Sequence, residues 1–228
     1  MGKDTRSGGV RRPRYEILVI GLGRFGSAVA ESLVELGHDV LGVDANPKLV
    51  QKYSGTLTHV VEVDSTSIEA LKQLGVPEFE RAVVGIGTDI ESSILTTAAL
   101  VDLGVPNIWA KAITEPHGKI LERVGAHHVV FPEHDMGLRL AHLVTGRMME
   151  YIEFDEGFAL VETRAPSELV GKSLGEVGVR RRYGLTVVAV KPAGQAFTYA
   201  TAETVVGAGD LLVVAGDAAR AEAFAELT

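Results

Sequence analysis

The residues best equipped for chemistry stand together near the start of the chain, in Val19-Ile20-Gly21-Leu22-Gly23-Arg24-Phe25-Gly26. This GxGxxG follows an apolar run that reads as a strand and precedes a helical pattern. Gly21 permits a tight turn, Gly23 lets the backbone approach phosphate oxygens, and Gly26 lets the helix pack closely on the strand. The helix N-terminus then offers free N–H groups and partial positive charge to an anion. Asp44 ends the second apolar run. A carboxylate there can accept two hydrogen bonds from a ribose 2′,3′-diol, and it disfavours a 2′-phosphate. Glycines alone occur in ordinary turns; with Asp44 they predict an adenine-nucleotide site.

Other strand ends should border the same crevice. Asp64 and Ser65 close the third run and can reach an adenine edge, although Ser65 or Ser67 can equally cap the helix before Ile68. Ile86-Gly87-Thr88 closes the fourth, with Gly87 giving close access and Thr88 a candidate cap. Lys111 closes the fifth, where a cation can reach phosphates or simply be solvated. His117 lies one turn into the next helix and can hydrogen-bond a ligand, or serve the core. Glu133 follows Phe131-Pro132 and opens another helix. A carboxylate beside polyphosphate is repulsive unless a cation lies between, so it is also a candidate ligand for Mg²⁺ or Ca²⁺.

The elements that must position these groups alternate. Strands are expected at Glu16–Gly21, Asp39–Asp44, His59–Asp64, Ala82–Gly87, Asn107–Lys111 and His128–Phe131. Helices are expected at Ser27–Leu36, Pro47–Tyr53, Ile68–Leu74, Glu91–Leu103 and Glu115–Val124. The strands are continuous apolar runs, as in sheets covered on both faces. The fold class is therefore α/β, a Rossmann-like doubly wound parallel sheet. A helix from Glu133 to about Arg147 ends the series. Beyond it, strands at Tyr151–Asp155, Phe158–Thr163, Leu185–Val190 and Leu211–Val214, with helices at Leu169–Val177 and Ala218–Leu227, make a small α+β module. The expected division is a basic tail at 1–14, a nucleotide-binding domain at 15–147 and a second domain at 148–228.

Composition narrows the chemistry. The chain has 228 residues, 46% of them apolar, and no cysteine, which excludes Cys-ligated metal sites, iron–sulfur clusters and Cys nucleophiles. No apolar run approaches a membrane span. The first 14 residues hold five cations against Asp4, a net of +4, so the rest carries −12 of the total −8. That acidic body argues against nucleic acid. The tail reads as a disordered, solvated arm. No constellation of acid, base and nucleophile is evident. The pair His127-His128 lies on a strand, so its rings point to opposite faces and cannot chelate one metal together. The chemistry stops at binding, which suggests a sensor; a small NAD(H)-dependent oxidoreductase is the alternative.

Gly21–Gly26, Val43-Asp44-Ala45-Asn46, the run Val83–Leu100, Asn107–Ala112 and Pro132–Gly137 together resemble the KtrA/TrkA-type regulatory subunits of bacterial potassium channels, which are built from RCK domains. Val170–Leu174, Arg182-Tyr183-Gly184, Val187–Lys191 and Gly209-Asp210 are similar to the RCK C-terminal domain. The resemblance implies a cytoplasmic homo-oligomer in which dimers form an octameric ring docked on a KtrB/TrkH-like membrane subunit, with ATP and ADP favouring different states. It implies a site of Arg24, Asp44, Ala45, Asn46, Asp64, Ser65, Ile86, Gly87, Thr88, Lys111, His117 and Glu133. Asp64 leans toward relatives that bind NAD(H). In the second domain it implies a cyclic di-AMP site on Leu174, Val177, Val179, Arg180, Tyr183, Val188, Val190 and Pro192. The same residues equally suit an ordinary hydrophobic dimer interface.

Overall fold

The computed structural model describes residues 14–144, 148–154 and 157–227. The expected tail up to residue 13, the end of the helix expected to reach Arg147 and the strand end at Asp155 lie outside the described residues. The chain divides into two compact units, Met1–Glu133 and His134–Thr228, whereas the sequence draws its boundary after the intervening helix, at 147/148.

In the first unit β1 (Glu16–Ile20), α1 (Arg24–Glu35), β2 (Asp39–Asp44), α2 (Pro47–Tyr53), β3 (His59–Glu62), α3 (Ile68–Gln73), β4 (Arg81–Val84), α4 (Ile90–Asp102), β5 (Asn107–Lys111), α5 (Glu115–Val124) and β6 (His128–Val130) follow one another, and α6 (Pro132–Val144) starts at its end. The sheet order is β3-β2-β1-β4-β5-β6, with every pairing parallel. The chain runs outward from β1 to β3, then returns to the other side of β1. That reversal opens a crevice at the strand C-termini, where doubly wound sheets bind ligands.

The strand sequences explain the layering. Along β1, Leu18 and Ile20 enter one apolar cluster while Ile17 and Val19 enter the other, because successive side chains point to opposite faces. Each face is buried, so the run carries no polar residue between Ile17 and Ile20. Helix starts follow local capping chemistry. Asn46, Ser67, Asp89 and Thr114 each accept a backbone N–H of the helix they open. Ser67, and neither Ser65 nor Thr66, caps α3; Asp89, not Thr88, caps α4. Helix α1 starts at Arg24, three residues before the expected Ser27, because Gly23 itself is the N-cap.

The second unit holds β7 (Met148–Phe154), β8 (Phe158–Arg164), α7 (Leu174–Val177), α8 (Val179–Tyr183), β9 (Thr186–Lys191), β10 (Thr198–Tyr199), β11 (Leu211–Asp217) and α9 (Ala218–Ala225). They form an antiparallel sheet in the order β10-β9-β11-β8-β7. The single helix expected at Leu169–Val177 is instead a 3₁₀ turn at Ser167–Leu169 followed by α7 and α8. Ser173 and Glu176 form a capping box that starts α7 afresh, and Gly178, at φ +64°, ends it. Ala221, Phe224 and Ala225 of α9 close the core over one face of this sheet.

Candidate functional site

A cleft of about 560 Å³ lies at the C-terminal ends of β1, β2, β4 and β5. Its walls contain Gly21, Gly23, Arg24, Phe25, Asp44, Ala45, Asn46, Asp64, Ser65, Ile86, Gly87, Thr88, Lys111 and Glu133. Fourteen positions spread over 113 residues of sequence thus meet in one place. Gly26 lies behind this wall.

The glycine loop is shaped by main-chain proximity. Gly21 has φ +86°, the left-handed region that glycine adopts at no steric cost, and its N–H donates to the Val43 carbonyl at 2.8 Å. A β-carbon on Gly26 would stand 1.9 Å from the Gly21 carbonyl oxygen, and one on Gly85 would stand 2.9 Å from the same atom. These two glycines let α1 seat directly on β1 and β4. Around Gly23, by contrast, a β-carbon would meet nothing within 4 Å. No side chain caps α1, so its first N–H groups are available to an anion.

The Asp44 carboxylate spans two loops. Oδ2 accepts the Leu22 N–H at 2.6 Å and Oδ1 accepts the Asn46 N–H at 2.8 Å. It fixes the glycine loop against the start of α2 and still has lone-pair capacity for hydroxyl donors. Asp64 accepts from the backbone and hydroxyl of Thr66, and these bonds hold its carboxyl below the ordinary value. Ser65 turns its hydroxyl inward, 2.8 Å from Thr96 Oγ1. The expected contact of Ser65 with an adenine edge would therefore fall to its main chain.

The far wall is charged. Lys111 Nζ donates to Glu133 Oε1 at 2.5 Å, and the lysine side chain is only 10% exposed. That hydrogen bond, with the Arg24 guanidinium as a lesser influence, holds the Glu133 carboxyl below the ordinary value. Lys111 also lies 5.6 Å above the Phe25 ring. No group of three or more metal-ligating side chains converges among the described residues.

His117 does not line the cleft. It is 2% exposed, its Nδ1 accepts the Ile113 N–H at 3.4 Å, and Nε2 has no hydrogen-bond partner among the described residues. Burial pushes its pKa down, so the ring is an uncharged part of the core. His127 Nδ1 accepts the Ile108 N–H at 3.1 Å, whereas His128 stacks on Trp109 at 3.9 Å; the two rings have separate surroundings. Sequence reasoning missed Leu49, Thr66, Gly85, Asp89, Ser92 and Ile113, which also line the cleft. Asp89 carried a usable signal: an Asp three residues before Ser92 at a helix start.

In the second unit Leu174, Val179 and Val190 belong to the hydrophobic core, with Val177 and Tyr183 packed against it. The Tyr183 hydroxyl donates to Glu168. Arg180 and Val188 are exposed, and Pro192 is half-buried. The eight residues therefore do not form one open floor, because the short helices α7 and α8 turn their apolar sides inward.

The strand order, glycine loop and strand-end carboxylate define a Rossmann-type nucleotide-binding module followed by a small antiparallel α+β module. Residues 17–132 match the TrkA-N domain and residues 158–228 the TrkA-C domain. The chain is 39% identical over 204 residues to Ktr system potassium uptake protein C of Bacillus subtilis, covering 89% of this chain and 92% of the relative. It is 38% identical over 202 residues to Ktr system potassium uptake protein A of the same organism, covering 88% and 91%. The GsuK RCK domain shares the fold at a TM-score of 0.65 and 22% identity, over 96% of this chain and 48% of that one. GsuK bound to NAD gives 0.63 and 22%, over 96% and 40%. The chain thus spans at most about half the length of these GsuK chains. It belongs to the TrkA-N/TrkA-C family, and the relatives that it matches over about nine tenths of their length are potassium uptake proteins, not oxidoreductases. The oxidoreductase alternative is set aside on that ground.

Proposed function

We propose that this chain is the nucleotide-sensing gating subunit of a potassium uptake channel, with ATP and ADP binding the glycine-loop cleft and stabilising different conformations of a homo-oligomer. The observation that carries the reading is the composition of the cleft. It offers a main-chain cradle at Gly21–Arg24, a carboxylate for ribose at Asp44 and a cation–carboxylate pair at Lys111–Glu133. Such a site can measure phosphate charge. A ligand shifts a conformational equilibrium only by binding its states unequally, and one phosphate more or less is such a difference.

In this reading 15–147 is the sensing domain and 148–228 the second domain. The ring is an octamer built from dimers, lying at the cytoplasmic face of the membrane on a KtrB/TrkH-like subunit. The relatives' role in potassium uptake and the absence of any membrane-spanning helix among the described residues support this placement. NAD(H) is the competing ligand of the same cleft, since GsuK binds NAD as well as ADP. Glu133 and the ligand's own phosphates would hold a bridging Mg²⁺, which needs only one or two protein carboxylates beside phosphate oxygens, or a Ca²⁺ whose larger shell water and phosphate oxygens would complete. Cyclic di-AMP would sit between two second domains, with Arg180 toward its phosphates and Val188 and Pro192 beside its bases.

The test is titration calorimetry of the purified chain with ATP, ADP and NADH, followed by potassium flux through the reconstituted channel. Submillimolar binding of ATP and ADP with opposite effects on flux is expected. Binding of neither, or binding without any change in flux, rejects the proposal.

A further inference from the structure

Helix α4 buries three hydroxyl-bearing residues, Ser93, Thr96 and Thr97. The buried side of a helix is ordinarily apolar, and valine has the shape of threonine without the polar atom. Thr97 turns its hydroxyl onto its own helix, donating to the Ser93 carbonyl at 2.8 Å, the local bond that threonine makes within helices. Thr96 reaches elsewhere. Its hydroxyl meets that of Ser65, 31 residues earlier in the chain, at 2.8 Å.

This bond ties together two turns of the cleft wall. The first turn of α4 lines the cleft with Asp89 and Ser92, and there the Asp89 carboxylate accepts the Ser92 N–H at 3.0 Å and the Ser92 hydroxyl at 2.7 Å. Thr96 stands one turn further along the same helix. The turn between β3 and α3 lines the cleft with Asp64, Ser65 and Thr66. With its hydroxyl held by Thr96, Ser65 is left with its main chain toward the cleft. Neither its N–H nor its carbonyl forms a hydrogen bond among the described residues. A buried residue thus keeps one main-chain donor and one acceptor for whatever enters.

We infer that Thr96 is a positioning residue for the nucleobase and, through Ser65, makes the cleft prefer adenine to guanine. The inference rests on the nucleotide reading above and adds to it the base that the site selects. Adenine carries a donor amine at its six-position, beside a ring nitrogen that accepts; guanine carries an accepting oxygen there. A carbonyl and an N–H held at one spacing match adenine. Against guanine the carbonyl faces another acceptor, and both oxygens stay unpaired. Such a site discriminates only while the turn cannot rotate to offer its other group. Thr96, anchored in a buried helix, keeps the Ser65 side chain inward and the turn in one setting. It touches no ligand itself.

Titration calorimetry of the full chain with ATP, ADP and GTP tests it, with denaturation midpoints to confirm folding. Thr96→Val removes the hydroxyl and keeps the shape. ATP and ADP affinities should fall together by about fivefold, the loss of roughly one hydrogen bond, and the preference for ATP over GTP should shrink by the same factor. Thr96→Ser returns the hydroxyl and should recover both. Ser65→Ala should reproduce Thr96→Val, and the two combined should be no weaker than either alone; Ser65→Ala carries the test should Thr96→Val fail to fold. Folded variants with wild-type affinities, or with losses shared equally by ATP and GTP, overturn the inference. A wild type that binds ATP without preferring it to GTP also overturns it and leaves the nucleotide reading standing, whereas a wild type that binds no nucleotide overturns both.

Discussion

The Lys111 ammonium and the Glu133 carboxylate meet at 2.5 Å on the wall of the nucleotide cleft, the lysine side chain 10% exposed and the glutamate 65% exposed. The cation is sunk in the wall and the anion closes over it, so an entering phosphate must compete with Glu133 for Lys111 or share it through a metal ion.

Glu133→Gln should separate these cases. Without the carboxylate's repulsion, ATP binding in the absence of divalent cations should tighten by about 1 kcal/mol, and the response to added Mg²⁺ should vanish, with ADP less affected. Calorimetry with and without Mg²⁺ on wild type and variant measures both. Acid provides an independent check. The Glu133 carboxyl is held below the ordinary value by Lys111, so whatever the pair contributes to stability is present above the unfolded-state value of about 4.3 and is lost as pH falls through the lower folded value. Glu133→Gln should remove that part of the acid dependence, read by denaturation midpoints from pH 3 to pH 6.

The glycine loop predicts two different failures. Gly26→Ala drives a β-carbon into the Gly21 carbonyl oxygen, at 1.9 Å, and should destabilise the first unit by about 1–3 kcal/mol or more. Gly23→Ala meets nothing within 4 Å and should leave the denaturation midpoint nearly unchanged while lowering nucleotide affinity. Denaturant titration and calorimetry on both variants check the contrast.

His117 predicts a dependence at milder pH. Its folded pKa is pushed down by burial, so the unfolded chain binds the proton first. Stability is complete above the unfolded value of about 6.5 and falls as the pH drops below it. His117→Phe should flatten the profile between pH 5 and pH 7, as measured by urea midpoints; an unchanged slope would assign the acid sensitivity elsewhere.

Asp44→Ala removes the expected ribose acceptor and two hydrogen bonds to the Leu22 and Asn46 amides. ATP and ADP should both bind about 1–3 kcal/mol more weakly. Asp44→Asn retains one acceptor oxygen and should lose less. Calorimetry with both nucleotides distinguishes the two variants, and equal affinities in wild type and Asp44→Ala would place the ribose elsewhere.

What the sequence revealed follows the range of the interactions involved. Strand runs, the glycine loop and Asp44 are local patterns, and the doubly wound parallel class follows from the βαβ series, whereas the strand order β3-β2-β1-β4-β5-β6 is known from the structure alone. Capping was harder where several candidates stood together: Ser65, Thr66 and Ser67 are all eligible, and the choice of Ser67 depends on Ser65 finding Thr96, 31 residues away. The helix expected at Leu169–Val177 joins the 3₁₀ turn at Ser167–Leu169 to α7 because the apolar spacing of Leu169, Leu174 and Val177 runs across the capping box, and the five residues of α8 beyond Gly178 are too few to show a helical period. The Lys111–Glu133 pair was legible only as two separate candidates, since nothing local links residues 22 apart. The cyclic di-AMP candidates came by resemblance, and spacing carries no information on which of them the core absorbs.

The glycines of the loop are fixed for unrelated reasons. What a side chain at Gly26 or Gly85 would strike first is main chain, so no compensating change in a neighbour's side chain can make room. Gly23 opens onto empty space and answers only to what must come near it. In a descendant that had abandoned its nucleotide, Gly23 would be free to drift first, and Gly26 would persist for as long as the domain folded at all.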